Sequence, residues 1–227
     1  MKNSKLNFGF FTVIFSIVVL FFCELSFAQI KNIGIKGGLN YSNAEFKYTK
    51  FGEPDFDSKS GFNVYLFYDF LNLKNVIFSG EIGYNQKGFN QTVSAESSGL
   101  PELNYTLYSR LGYFDINAMT QFILPGASVS PYISAGPVLS FKTYGKATSS
   151  NVQGDSLVVP SANLLLDDLK SPVLGIIGGF GIQINKVIPQ TIILEIRYNA
   201  DLTNSYRSSG LNYVRNYLWQ FNLGFKL

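Results

Sequence analysis

The chain has no histidine and a single cysteine in 227 residues. The first absence removes the side chain that titrates near neutrality and most often serves as general acid or base. The second leaves nothing to form a disulfide, because Cys23 lies in an N-terminal segment that reads as a cleaved address. Excess charge of either sign is also missing: 18 basic and 15 acidic residues give a net charge of +3, which supports no nucleic-acid partner. No Pro/Ser-rich linker or block of like charge divides the chain. Beyond the N-terminal segment no run is apolar enough for a transmembrane helix, and helical periodicity is scarce.

That segment has Lys2 and Lys5 before an apolar run from Phe8 to Phe22, then Ser26-Phe27-Ala28, with small residues at the two positions a signal peptidase reads. The run is shorter than the roughly 20 residues of a spanning helix. Phe22 stands where a lipid-modified cysteine needs a small neighbour. Residues 1–28 are therefore expected to be a cleaved secretory signal and residues 29–227 a single domain. Cleavage takes Lys2, Lys5 and Glu24 away and leaves 16 basic and 14 acidic residues.

What the rest of the chain has in abundance is period-2 alternation. At the C-terminus Tyr217, Trp219, Phe221, Leu223, Phe225 and Leu227 fall on one face, and Leu218, Gln220, Asn222, Gly224 and Lys226 on the other. Successive β side chains point to opposite sides, so such a strand suits a wall with lipid outside and polar groups inside. Seven earlier segments alternate similarly: Asn32–Tyr41, Gly61–Phe70, Val76–Phe89, Tyr105–Phe122, Pro131–Lys142, Val173–Ile184 and Thr191–Asn199. The pattern predicts an all-β fold, an eight-stranded antiparallel up-and-down transmembrane β-barrel with both chain ends on the periplasmic side.

Connections of two lengths alternate along the chain. Leu71–Asn75, Ile123–Ser130 and Asn185–Gln190 are short, as periplasmic turns should be; Ser42–Ser60, Asn90–Asn104, Thr143–Ser171 and Ala200–Tyr213 are long and polar, as extracellular loops should be. This threading places Tyr41, Phe62, Tyr84, Phe141, Tyr198 and Tyr217 at the outer rim and Phe70, Phe78, Phe122 and Phe225 at the inner rim, forming two aromatic girdles. Lys36, Glu81, Asp115, Glu195 and Arg197 fall on the inward face, mixed in sign, in a space that a small barrel fills with its own side chains. A packed, salt-bridged plug is the expected arrangement, with a proton or ion path as the alternative.

Gly34-Ile35-Lys36-Gly37-Gly38-Leu39-Asn40-Tyr41-Ser42, Pro131-Tyr132-Ile133-Ser134-Ala135-Gly136-Pro137 and the aromatic terminal strand resemble the outer-membrane β-barrel family common in Bacteroidetes, which includes the PorT-like proteins. The resemblance spans essentially the whole chain after the signal. It implies an outer-membrane location, contact with outer-membrane lipid, recognition of the C-terminal strand by the barrel assembly machinery and, for PorT-like members, partners in an envelope or secretion apparatus. The chain departs from the usual assembly signal by ending in Leu227 rather than Phe. Outer-membrane barrels that hydrolyse lipids or peptides generally place a His among their catalytic groups, which this chain cannot do. A Lys-activated serine or a carboxylate pair involving Asp201 stays open, but nothing supplies an activated nucleophile or a tuned acid and base, and no enzymatic activity is expected.

Other features admit two readings each. Gly175 to Gly181 has the wrong spacing for a dinucleotide fingerprint and no helix follows it, so these glycines are expected to serve barrel curvature. Glu53, Asp55 and Asp57 could offer oxygens to calcium, but the run lacks the Gly turn and final Glu of a calcium loop; solvated acids, without metal or cofactor, are expected. The loop Thr143–Ser171 carries Leu157, Val159, Leu164, Leu165 and Leu166 in a polar setting. Either Ser161 caps a short helix through Lys170 whose leucines pack on the barrel mouth, or the leucines form a partner-binding patch. The expected function is that of a non-enzymatic scaffold for loops or a component of an envelope assembly; a narrow channel is the alternative. A soluble lipocalin-like carrier is disfavoured, since its apolar face would point inward.

Overall fold

The computed structural model describes residues 32–48, 56–95, 103–126, 128–151, 156–157, 169–185, 189–204 and 211–227. Among them are nine strands: β1 (Ile33–Tyr48), β2 (Phe56–Asn72), β3 (Val76–Ala95), β4 (Leu103–Ile123), β5 (Val129–Asn151), β6 (Ser156–Leu157), β7 (Val173–Ile184), β8 (Thr191–Asp201) and β9 (Leu211–Lys226). Neighbours run antiparallel in the order β4-β3-β2-β1-β9-β8-β7-β5, and β5 pairs back with β4 to close the ring. β6 stands outside this ring, paired with Ser149 and Ser150 of β5 beyond the reach of β7. The closed barrel is thus eight-stranded and up-and-down, as the alternation predicts.

Register follows from the faces, because a one-residue slip would turn every apolar side chain into the lumen. Ile35, Leu66, Ile116, Ile133, Phe180, Leu194 and Phe221 point outward, and Leu39 is 69 % exposed. A continuous apolar band of this kind is a membrane-facing wall, the reverse of a lipocalin. Tyr41, Phe62, Tyr198 and Trp219 are exposed toward the long hairpins, and Phe70, Phe122 and Phe225 toward the short turns. Tyr84, Phe141, Tyr217 and Phe78 are half-buried against their neighbours. The Phe62 and Tyr84 ring centroids lie 5.5 Å apart, and Tyr198 sits between Trp219 at 5.0 Å and Tyr217 at 6.5 Å. Gly38 allows β1 and β9 to approach where the ring closes: a Cβ there would strike the Phe221 carbonyl.

At the hairpin end the strands run farther than their apolar faces suggest. β1 continues to Tyr48, β2 starts at Phe56, β3 reaches Ala95, β5 reaches Asn151 and β9 starts at Leu211, so much of what reads as loop is paired ladder. The physical reason is that ladder hydrogen bonds need no lipid: past the girdle the outer face turns polar, the alternation signal fades, and pairing continues. Asp201 likewise ends β8 rather than beginning a loop. β6 is a two-residue addition that no periodicity announces.

Residues 1–28, Glu53, Asp55, Val159, Leu164, Leu165 and Leu166 lie outside the described residues. Leu157 belongs to β6 and Asp57 is an exposed residue of β2. The helix through Lys170, one of the two readings of this loop, is not present at its described end: Leu169 is a buried, strand-like bridge residue and Lys170 is irregular and exposed. Backbone pairing and burial at Leu169 win over the helical turn.

Candidate functional site

Strand direction arranges the lumen in layers. Nearest the turns, Lys226 Nζ on β9 donates to Asp69 Oδ2 on β2 at 3.1 Å. Next toward the hairpins comes an apolar layer in which Phe67, Tyr132 and Ile193 are buried together, with Ile123 packed against them.

The layer beyond that is a cluster of four buried charges. Arg197 on β8 donates through Nη1 and Nη2 to the two carboxylate oxygens of Glu81 on β3, at 2.7 Å each. Lys36 Nζ on β1 donates to Glu81 Oε1 at 2.6 Å and to Glu195 Oε2 at 3.2 Å. Arg197 Nε lies 2.6 Å from that same Glu195 oxygen, an ion-pair contact rather than an aligned hydrogen bond. Asn117 Nδ2 donates to Glu81 at 3.1 Å, while Ser134 Oγ and Asn222 Nδ2 reach Glu195 at 3.5 Å. β3 and β8 are separated by three strands either way around the ring, so the fork between Arg197 and Glu81 spans the barrel's diameter. Two cations meet two anions with most oxygens hydrogen-bonded, the condition under which buried charges are tolerated.

Asp115, the fifth inward charge, does not join a cation among the described residues. Its Oδ2 accepts from Tyr65 Oη at 3.0 Å and Asn85 Nδ2 at 2.8 Å, and Gln220 Nε2 donates to Tyr65 Oη at 3.2 Å. Asn40 Nδ2 donates to Asn85 Oδ1 at 2.7 Å, and Asn63 Nδ2 to Asn40 Oδ1 at 2.6 Å. The expectation of an ion pair fails here because Lys36 and Arg197 are engaged by two glutamates nearer the turns, and neutral donors from β2 and β3 reach Asp115 first.

The outermost layer repeats the span from β3 to β8. Lys87 Nζ donates to Asp201 Oδ1 at 3.0 Å and lies 4.9 Å from the centroid of Tyr113; Asp201 Oδ2 accepts from the backbone N and Nδ2 of Asn216 at 3.2 and 2.8 Å. Sequence reasoning omitted this pair and Asp69–Lys226 from the site. The signal was present: extending the inward series Glu195, Arg197, Asn199 by one more step lands on Asp201. Among the described residues, every inward-facing Lys, Arg and Glu of these layers is held in an ion pair.

A family model described as outer membrane protein beta-barrel domain matches residues 27–207. No curated protein matches the sequence significantly. Similar solved structures include Ail, the attachment invasion locus protein of Yersinia pestis, at 18% identity over 87% of this chain and 99% of that one, with a TM-score of 0.38. Neisserial surface protein A shares 15% identity over 86% of this chain and 97% of its own, with a TM-score of 0.40. OprG of Pseudomonas aeruginosa shares 12% identity over 87% and 96%, with a TM-score of 0.45.

Proposed function

The chain belongs to the outer-membrane protein β-barrel domain family, with its wall in the lipid of the outer membrane, and from that premise we propose that it is a non-enzymatic, non-conducting scaffold. The observation that carries this reading is the filled lumen. An apolar layer at Phe67, Tyr132 and Ile193 and two ion-paired layers bridging β3 and β8 leave little room for a solute in a ring of eight strands. Recognition then falls to the ends of the strands, where a rigid wall holds variable segments. The extracellular side supports this reading by its asymmetry: β3, β4 and β5 run for 20, 21 and 23 residues against 12 and 11 for β7 and β8.

Within this proposal the segment between β5 and β7, holding Leu157, Val159, Leu164, Leu165 and Leu166, contacts an envelope partner, and a secretion assembly of the PorT-like kind is the finer candidate. Delivery by a signal at residues 1–28 and insertion by the barrel assembly machinery through β9 fit the same picture. In planar bilayers the purified protein should show no steady conductance; reproducible single-channel steps would favour the narrow channel instead. Replacing residues 152–168 with a short Gly/Ser turn should preserve heat-dependent gel mobility, since loop length changes closure entropy only slowly. The same replacement should eliminate partners that co-purify with the intact protein from native membranes. Retention of every partner would move recognition to another hairpin or to the periplasmic turns.

A further inference from the structure

On the outer face of the barrel, beyond the girdle, three cations gather that form no ion pair with a carboxylate among the described residues. Gly88 of β3 pairs with Arg110 of β4, and Arg110 pairs with Lys146 of β5. Ser58 of β2 pairs with Phe89, which brings Lys59 alongside Gly88. The row across four strands therefore reads Lys, Gly, Arg, Lys. Like charges on directly opposed residues destabilise a sheet, so Arg110 beside Lys146 calls for a counterion. Asp57, two residues from Lys59 on β2, forms no ion pair with any of the three, and among the described residues no other carboxylate does so.

The local structure gathers these charges. A Cβ on Gly88 would come within 3.1 Å of Lys59 Cδ, so the bare glycine lets the Lys59 stem lie across β3 toward β4. Lys59 Nζ comes to rest 5.5 Å from the centroid of Tyr108. On β5 a bulge at Thr143, skipped between Lys142 and Tyr144 in the pairing with β4, shifts the alternation and turns Tyr144 and Lys146 outward. Lys59, Tyr108, Arg110, Tyr144, Lys146 and Thr148 then line one pocket of about 220 Å³, with hydroxyls beside the three cations. Lys59, in this extracellular extension, is held below its ordinary pKa by burial and, second, by the charge of Arg110, the sign expected where cations crowd together.

Height identifies the occupant. The girdle row Val64, Tyr84, Phe114, Phe141 crosses the same four strands four or five residues nearer the turns. That separation is about 13 Å along the strands and, at a barrel's tilt, about 10 Å of height. With the reach of Lys and Arg it sets the charges at the headgroup layer, directly above an apolar stripe of Tyr84, Phe114, Ile82 and Ile116 on which an acyl chain can lie. We propose that this pocket binds the phosphate group of an outer-leaflet lipid, its oxygens held by Lys59, Arg110 and Lys146 and its chain running down the stripe.

The test uses the full-length folded protein in neutral maltoside micelles with dodecyl phosphate as the lipid probe and inorganic phosphate as the free-anion control, read by ³¹P line broadening. Dodecyl phosphate should broaden saturably, inorganic phosphate at the same concentration should compete poorly, and R110Q and K146Q should each weaken binding about tenfold, the scale of one charge-assisted contact. R110K should retain most of it, and K59Q/R110Q/K146Q should lose it. Equal broadening in the folded triple variant would overturn the site, and equal competition by inorganic phosphate would overturn the lipid as its source. Heat-dependent gel mobility reports folding; should the triple variant fail to fold, unchanged binding in K146Q, a substitution at an exposed position, overturns the proposal.

Discussion

Replacing Arg197 with Met is expected to cost about 3–5 kcal/mol of stability, because it leaves Glu81 and Glu195 buried with only Lys36 between them. The loss should appear as a lower urea midpoint for the heat-modifiable folded form in detergent or bilayers. A second substitution separates charge from packing. R197M/E195Q restores a neutral pair, Lys36 with Glu81, and should recover a large part of what R197M loses. If R197M unfolds at the wild-type midpoint, the cluster is not the lock that its geometry describes.

The second large effect belongs to the outer face. Leu194 pairs with Leu223, one residue from Asn222, which lies midway between Tyr217 and Leu227 at the two edges of the lipid-facing series on β9. Leu194→Arg therefore places a guanidinium near the bilayer midplane, at an expected cost of about 2–4 kcal/mol. The same change at Leu202, just past β8 on the extracellular side, should cost about 0–1 kcal/mol. Equal effects at the two positions would contradict a membrane-facing wall, as would a wild-type protein that stays dispersed without detergent.

The contrast between these two positions shows which parts of the fold were legible. Leu194 and Arg197 could be sent to opposite faces from sequence because in a barrel wall lipid and lumen alternate with every residue, and the chemistry alternates with them. Strand ends were less legible, since Ser42 to Tyr48 and Tyr144 to Asn151 go on pairing after the apolar face has ended. Partnership across the lumen was illegible for a different reason. Glu81 meets Arg197 through the order and stagger of a closed ring, at a sequence separation of 116, and no local pattern near either residue encodes that. Asp115 faced inward as expected, yet its partners Tyr65 and Asn85 were set by relative height in the ring. The bulge at Thr143 also escaped the periodicity, so Lys146 could not be placed beside Arg110 from alternation alone.

The span between β3 and β8 also bears on how the molecule is made. Lys36 on β1 is separated by one strand from Glu81 on β3 and from Glu195 and Arg197 on β8, but the fork from Arg197 to Glu81 spans the diameter, so the four charges come together only when the sheet has curled into a ring. An open ribbon lying in hydrocarbon would present these ions to lipid, where each is prohibitively unfavourable. Entry into the bilayer and closure of the ring must therefore proceed together, with the charges passing from water straight into the interior. The seam between β1 and β9 acts as the clasp, and fastening it is what allows the charged centre to exist inside a membrane at all.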